Sequence, residues 1–226
     1  MISMNYKSRN IIIFDLDGTL TDDKQRYIST FEHCINKFSI TIDLSKVLLL
    51  KLKGLNEDSI LKELDFSREI KKKISKERRK IIETEEFLKY QKLFSDTTIV
   101  LSNLSINFIL CLATNRRDKK LLDKQLQDFS IYQYFDKILC REFFENKREM
   151  IQHIIGTYSI NEAKCQFFFV TDTFKDFDYV SEFPDLIKIA VYRGLNSKSA
   201  LKKRSNTVFS NLRKVEKFIL KNVKKY

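Results

Sequence analysis

Short, continuous apolar runs recur along the chain, and each stops at small polar residues. Ile11-Ile12-Ile13-Phe14 ends in Asp15, Phe108 to Ala113 in Thr114-Asn115, and Phe167-Phe168-Phe169-Val170 in Thr171-Asp172. A shorter run, Ile187 to Tyr192, closes with Arg193-Gly194, and Tyr134 to Leu139 supplies a further strand. Apolar runs without alternation are the pattern of strands buried on both faces of a parallel sheet. Between them lie helical spacings: Arg117 to Phe129, with Leu121, Leu122 and Leu126 on one side, then Lys147 to Ile155 and Phe174 to Phe183. This alternation predicts an α/β fold with a doubly wound parallel sheet, whose ligand sites gather at the carboxyl ends of the strands. The polar strand endings are therefore expected to converge on one crevice.

From Asp22 to Phe94 the rhythm breaks. No strand pattern occurs there, and the spacing predicts helices over Lys24 to Phe38, Leu44 to Lys51, Glu57 to Leu64 and Ser67 to Leu93. The expected organisation is an α/β core of residues 1–21 and 95–226 with an all-helical insert, 22–94, placed as a cap over the crevice. Caps of this kind exclude water and select substrates.

Composition narrows the function. The chain has 226 residues, 43% hydrophobic and 32% charged, which fits a folded domain and not a disordered one. Its four glycines, Gly18, Gly54, Gly156 and Gly194, stand too far apart for a P-loop or a dinucleotide-binding glycine fingerprint. The apolar runs are too short to span a bilayer and the start MISMNYKSRN has no apolar signal core, so no membrane association and a cytoplasmic location are expected. Cys34, Cys111, Cys140 and Cys165 form no CxxC pair and only His33 and His153 accompany them, which argues against a zinc site and for reduced packing thiols. The net charge of +12 raises the option of a polyanionic partner. The densest basic run, Lys71 to Lys80, carries apolar residues at Ile70, Ile74, Ile81 and Ile82, the spacing of a helix with a solvated charged face, so nucleic-acid binding is disfavoured.

The most informative segment is Asp15-Leu16-Asp17-Gly18-Thr19-Leu20-Thr21. Two carboxylates two residues apart, beyond a buried strand, raise one another's pKa unless a cation neutralises them. The pair suits a metal, or an acid and base in tandem. The plainer alternative is a strand-end turn rich in Asp and Gly.

Here the sequence resembles the haloacid dehalogenase superfamily, and within it the phosphoglycolate-phosphatase-like and β-phosphoglucomutase-like branch with a helical cap. Its first motif reads DxDx(T/V) after a buried strand, commonly extended to DGTLxD. Thr114 in LATN resembles the second motif, Lys147 in FENKRE the third, and Asp172 with Asp176 in TDTFKD the fourth. The resemblance spans residues 10 to 195. It implies that Asp15 is a nucleophile forming an acyl phosphate, and that Asp17 protonates the leaving oxygen and then takes a proton from water. An acid at Asp17 argues for phosphoryl chemistry over halide displacement. Thr114, with Asn115 beside it, is implied to hold a phosphoryl oxygen, and Lys147 to neutralise charge on nucleophile and phosphoryl group, with Arg141 as its substitute. Mg²⁺ is implied at the Asp15 carboxylate, the Asp17 carbonyl and Asp172, with Asp176 in support. Hard oxygen ligands without Cys or His select that ion. Thr171 stands where many relatives have glycine or a second Asp.

For the cap, Lys51-Leu52-Lys53-Gly54-Leu55-Asn56 resembles the loop that related caps direct into the site, with Lys53 and Gly54 as substrate contacts; the alternative is a helix that stops at Gly54. Sugar-phosphate mutases of this branch carry a histidine where this chain has Tyr27, so mutase activity is disfavoured. His33 and His153 are expected to be structural. The expectation is a Mg²⁺-dependent phosphatase, monomer or homodimer, acting on a small phosphorylated metabolite: a sugar phosphate, phosphoglycolate or a nucleotide. Open alternatives are a non-catalytic binding or regulatory protein, a phosphonatase using Lys53 as amine nucleophile, and a nucleic-acid end phosphatase using the basic surface.

Overall fold

The structure, a computed structural model, describes residues 10–161 and 165–223, the side chains of 160 and 161 excepted. The segment 1–9, read above for a signal sequence, lies outside it. The chain opens with β1 (Ile11–Phe14) and β2 (Thr21–Asp22), then runs through α1 (Lys24–Phe38), α2 (Leu44–Leu52), α3 (Glu57–Glu63), α4 (Arg68–Ile81) and α5 (Glu85–Leu88) to β3 (Lys92–Leu93). After α6 (Thr97–Ser105) come β4 (Ile109–Thr114), α7 (Lys119–Asp128), β5 (Lys137–Cys140), α8 (Lys147–Asn161) and β6 (Phe167–Thr171). The remainder is α9 (Phe174–Tyr179), β7 (Leu186–Val191), α10 (Lys198–Lys202), β8 (Val208–Phe209) and α11 (Leu212–Asn222).

Six of these strands form one parallel sheet in the order β5-β4-β1-β6-β7-β8. The chain winds outward from β1 in one direction through β4 and β5, and in the other through β6, β7 and β8. β1 is thus the point at which winding reverses, and crevices form there. Register makes the site: Phe14 lies opposite Leu112 on one side and Val170 on the other, so Asp15 emerges level with the polar ends of β4 and β6.

The period-2 alternation of a strand sorts the core. Ile12 and Phe14 pack with Val100, Leu104, Leu122, Leu126, Val215 and Ile219 on one face of the sheet. Ile11 and Ile13 pack with Met150, Ile151, Ile154 and Phe177 on the other. The helical insert has an apolar cluster of its own, built on Phe31, Val47, Ile60, Leu61 and Ile74. The antiparallel ribbon of β2 and β3 joins it to the sheet, Thr21 opposite Leu93.

Some boundaries differ from the sequence reading. The helix expected over Ser67 to Leu93 is broken: α4 stops at Ile81, where the Thr84 hydroxyl donates to the Ile81 carbonyl (2.8 Å) and turns the chain before α5. The strand expected from Tyr134 begins at Lys137, after a 3-10 turn over Tyr132–Tyr134, and the helix expected to reach Phe183 ends at Tyr179. The basic run lies on α4 mostly exposed, with Ile74, Ile81 and one arginine, Arg78, buried. No helix among the described residues is long and apolar enough to cross a membrane.

Candidate active site

Asp15 leaves β1 with its backbone N–H still donating to the Val170 carbonyl (2.9 Å), which fixes it to β6. The chain then turns sharply. The Leu16 carbonyl accepts from the N–H groups of Leu20 (2.9 Å) and Thr21 (3.1 Å), and Gly18 adopts φ +77°, a left-handed conformation that side chains disfavour. Gly18 and Gly194 flank the Asp172 carboxylate. A Cβ at Gly18 would lie 2.3 Å, and one at Gly194 2.1 Å, from Asp172 Oδ2. These two glycines let backbone approach a buried carboxylate closely.

Lys147, the first residue of α8, is 1% exposed and bridges two acids: its Nζ is 2.8 Å from Asp15 Oδ1 and 2.6 Å from Asp176 Oδ2. The Thr171 hydroxyl also donates to Asp176 Oδ2 (2.7 Å). Asp176 therefore orients Lys147 through its Oδ2. Asp15 Oδ1 further accepts from the Leu16 N–H (2.8 Å), whereas Oδ2 has only a long contact to Thr171 (3.4 Å). Asp172, 2% exposed, accepts weakly from the Thr173 hydroxyl (3.2 Å) and the Leu195 N–H (3.3 Å).

Burial dominates the electrostatics. It pushes Asp15 up to about 7 against the opposing pull of Lys147, with the Asp176 and Asp17 charges adding to the rise. Asp172 is held well above the usual carboxylate range by burial and by Asp15. For Lys147 burial works the other way, but the Asp15 and Asp176 charges outweigh it and raise the ammonium, which stays charged. Two buried carboxylates that resist ionisation are short of positive charge, and their donors are hard oxygens. Asp15 and Asp172, with the Asp17 carbonyl, fit a divalent cation of the Mg²⁺ type. Among the described residues no group of three acidic, His or Cys side chains is placed to hold a metal, so such an ion would be held by Asp15, Asp172 and the Asp17 carbonyl.

Asp17 sits in a different environment. Arg116 grips it with two bonds, Nε to Oδ2 (2.8 Å) and Nη2 to Oδ1 (2.9 Å), Arg26 Nη2 lies 3.1 Å from Oδ1, and Gln91 donates to it as well. Gln91 and Gln125 in turn accept from Arg116. Burial alone would raise this carboxyl, but the two guanidiniums hold it well below the usual carboxylate range. As built, Asp17 is ionised, and the same ion pairs that keep it so make it a weak proton acceptor until they loosen.

Thr114 ends β4 buried, and Asn115 beside it is exposed. The cap loop departs from the reading of Lys53. Lys53 is exposed, and Gly54 (φ +91°) is a helix stop packed against Phe174, where a Cβ would meet the ring at 2.7 Å. Lys51, two residues earlier, is the cation that senses Asp172 and Asp23; burial lowers its ammonium pKa, and those two charges oppose the shift. Arg141 does not replace Lys147. It lies exposed in an outer cleft of about 630 Å³ between insert and core, with Arg79, Arg117 and Asn115. His33 bonds Glu77 (3.0 Å) and His153 packs near the Phe144 ring, both away from Asp15. Sequence reasoning missed Arg26, Lys51, Gln91 and Arg116. The available signals were the position of Arg116 two residues after Thr114 and of Arg26 beside Tyr27 in the first turn of α1.

A model of the haloacid dehalogenase-like hydrolase family matches residues 12–181. Solved structures share the fold over nearly the whole chain. A haloacid dehalogenase-like hydrolase from Streptococcus pneumoniae is 19% identical with a TM-score of 0.77, covering 94% of this chain and 99% of that one. A protein described as a predicted phosphatase from Clostridium acetobutylicum is 24% identical (TM-score 0.72), and one described as a predicted phosphoglycolate phosphatase from Haemophilus somnus is 16% identical (TM-score 0.71), each with the same two coverages. At such identities the likeness carries the fold alone. No curated protein matches the chain.

Proposed function

This chain belongs to the haloacid dehalogenase-like hydrolase family, and on that premise we propose that it is a Mg²⁺-dependent phosphatase hydrolysing a small phosphomonoester in the cytoplasm. The observation that carries the reading is Asp15: a carboxylate at the winding reversal of a parallel sheet, held by Lys147 at 2.8 Å, beside a second carboxylate, Asp172, that is short of a cation.

In the first step a carboxylate oxygen of Asp15 attacks phosphorus, the P–O ester bond breaks, and an acyl phosphate forms on Asp15. Lys147 and the Thr114 hydroxyl stabilise charge on the phosphoryl oxygens. Bound Mg²⁺ supplies Lewis-acid stabilisation of the same charge. In the second step water attacks phosphorus, Asp17 takes its proton, and phosphate leaves with Asp15 regenerated. The ion pairs to Arg116 and Arg26 keep Asp17 ionised but weaken it as a base, so accepting the proton also requires them to loosen. Protonation of the leaving oxygen by Asp17 in the first step requires that grip to loosen as substrate enters.

The test is phosphate release from para-nitrophenyl phosphate, sugar phosphates, phosphoglycolate and nucleotides, with Mg²⁺ or EDTA, for wild type and Asp15→Asn. Release should need both the metal and Asp15, while the variant keeps its fold by circular dichroism. Near-normal turnover in Asp15→Asn would sink the mechanism.

A further inference from the structure

The described residues contain five buried side-chain atoms with no hydrogen-bond partner, and all belong to α1, the residue that precedes it, or α4: Asp23 Oδ1, Arg26 Nε and Nη1, Tyr27 OH and Arg78 Nη2. Their residues are each at least nine-tenths buried: Asp23 8%, Arg26 4%, Tyr27 8% and Arg78 1% exposed. An unmet buried polar atom is costly, so five together mark a place that a ligand or water would complete. They form a continuous wall leading away from the acidic centre. Arg26 Nη2 contacts Asp17 (3.1 Å) and Asp23 (3.8 Å). Lys51 Nζ lies 5.6 Å and the Arg78 guanidinium carbon 4.7 Å from the centre of the Tyr27 ring, and Arg78 pairs with Glu57. Lys51 forms no ion pair among the described residues. Four of the unmet atoms are donors and one is an acceptor. Arg26 is shared between Asp17 and Asp23, and Arg78 is paired with Glu57, which leaves Lys51 as the cation of this wall without an ion-pair partner.

We propose that this wall reads the leaving group of the substrate, and that the substrate is a phosphomonoester whose leaving group carries both a second anionic group and a hydroxyl. The anion, a carboxylate or a second phosphate, meets the free donors of Arg26, Tyr27 and Arg78 and pairs with Lys51. The hydroxyl donates to Asp23 Oδ1. A neutral leaving group leaves the four donors and Lys51 unmet, and a leaving group without a hydroxyl leaves Asp23 Oδ1 unmet. This inference rests on the phosphatase reading for the placement of the phosphoryl group at Asp15.

The experiment is calorimetric binding of a matched three-carbon series to the Asp15→Asn protein with Mg²⁺, so that affinity is read without turnover. The probes are propyl phosphate, 2-hydroxypropyl phosphate, 3-phosphonooxypropanoate and 3-phosphoglycerate, with glycerol 1,3-bisphosphate to distinguish a phosphate from a carboxylate as second anion. The doubly equipped esters should bind about ten- to a hundredfold tighter than propyl phosphate, with the singly equipped ones between. Tyr27→Phe and Lys51→Gln, each in the same background, should shrink that preference at least about threefold, as the loss of one such contact does. Equal affinities across the series, or a preference untouched in both variants, overturns the proposal. Wild-type turnover of para-nitrophenyl phosphate is measured in parallel. Turnover without a binding preference removes the inference and leaves the phosphatase reading standing, whereas a preference without any turnover does the reverse.

Discussion

Removing the ammonium of Lys147 tests the electrostatic account most directly. Lys147→Met keeps the length of the buried stem and deletes the charge 2.8 Å from Asp15 and 2.6 Å from Asp176. Breaking a buried pair by removing one partner costs about 3–5 kcal/mol. For a chain of this size each kcal/mol moves the melting temperature by about 2–4 °C, so a fall of roughly 6–20 °C is expected at pH 8 in EDTA. The sign of the pH dependence follows from Asp15. Its folded pKa is already raised from 3.8 to about 7, and Lys147 is the main influence lowering it. Without Lys147 it rises further, so the folded state binds a proton that the unfolded state releases. The variant is then least impaired near pH 5, where Asp15 is protonated, and loses stability as pH climbs through the raised pKa. Thermal melts of both proteins at pH 5 and pH 8 provide the comparison. A variant within about 1 kcal/mol of wild type at pH 8, or one equally impaired at both pH values, would refute the reasoning, since a solvated lysine would behave that way.

Further outcomes follow from the same geometry. Gly194→Ala places a methyl group 2.1 Å from Asp172 Oδ2 and 2.6 Å from the Gly18 Cα, so the carboxylate must move; Mg²⁺ activation should require at least about tenfold more metal, by titration of activity. In EDTA, wild type should lose stability between pH 4 and pH 7, because Asp15 and Asp172 have raised folded pKa values. Saturating Mg²⁺ at a hundred times its dissociation constant should restore about 2.7 kcal/mol, with protons released on binding, seen as a buffer-dependent calorimetric enthalpy. Arg116→Leu deletes both bonds that hold the Asp17 carboxyl low, so its pKa should rise and the pH–rate profile of para-nitrophenyl phosphate turnover should shift upward; an unchanged profile would remove Arg116 from this role.

The sheet was legible because its strands are written as uninterrupted apolar runs. Ile11–Phe14, Ile109–Thr114 and Phe167–Thr171 pair in register, and the polar residue closing each run arrives at one level. Strands at the margin carry weaker signals: β5 is half-buried, so its pattern blurred into Tyr134, and the two-residue β8 has no period to read. The end of α4 was hidden for a different reason. Ile81, Ile82 and the charged residues after them continue a helical spacing, and one hydroxyl-to-carbonyl bond at Thr84 decides where it stops.

By itself the sequence determined the winding of the core, the place of the helical insert, and the order in which Asp15, Thr114, Lys147 and Asp172 reach the strand ends, because local period and strand-end chemistry are properties of neighbours along the chain. Tertiary structure alone decided what surrounds them. Arg116 reaches Asp17 across 99 positions, Gln91 across 74, and Lys147 reaches Asp176 across 29. Such partners leave no periodic trace in the sequence. The choice of Lys51 over Lys53 is of the same kind: two residues apart on a helix point in different directions, and only the packing of α2 against α1 says which of them faces the site.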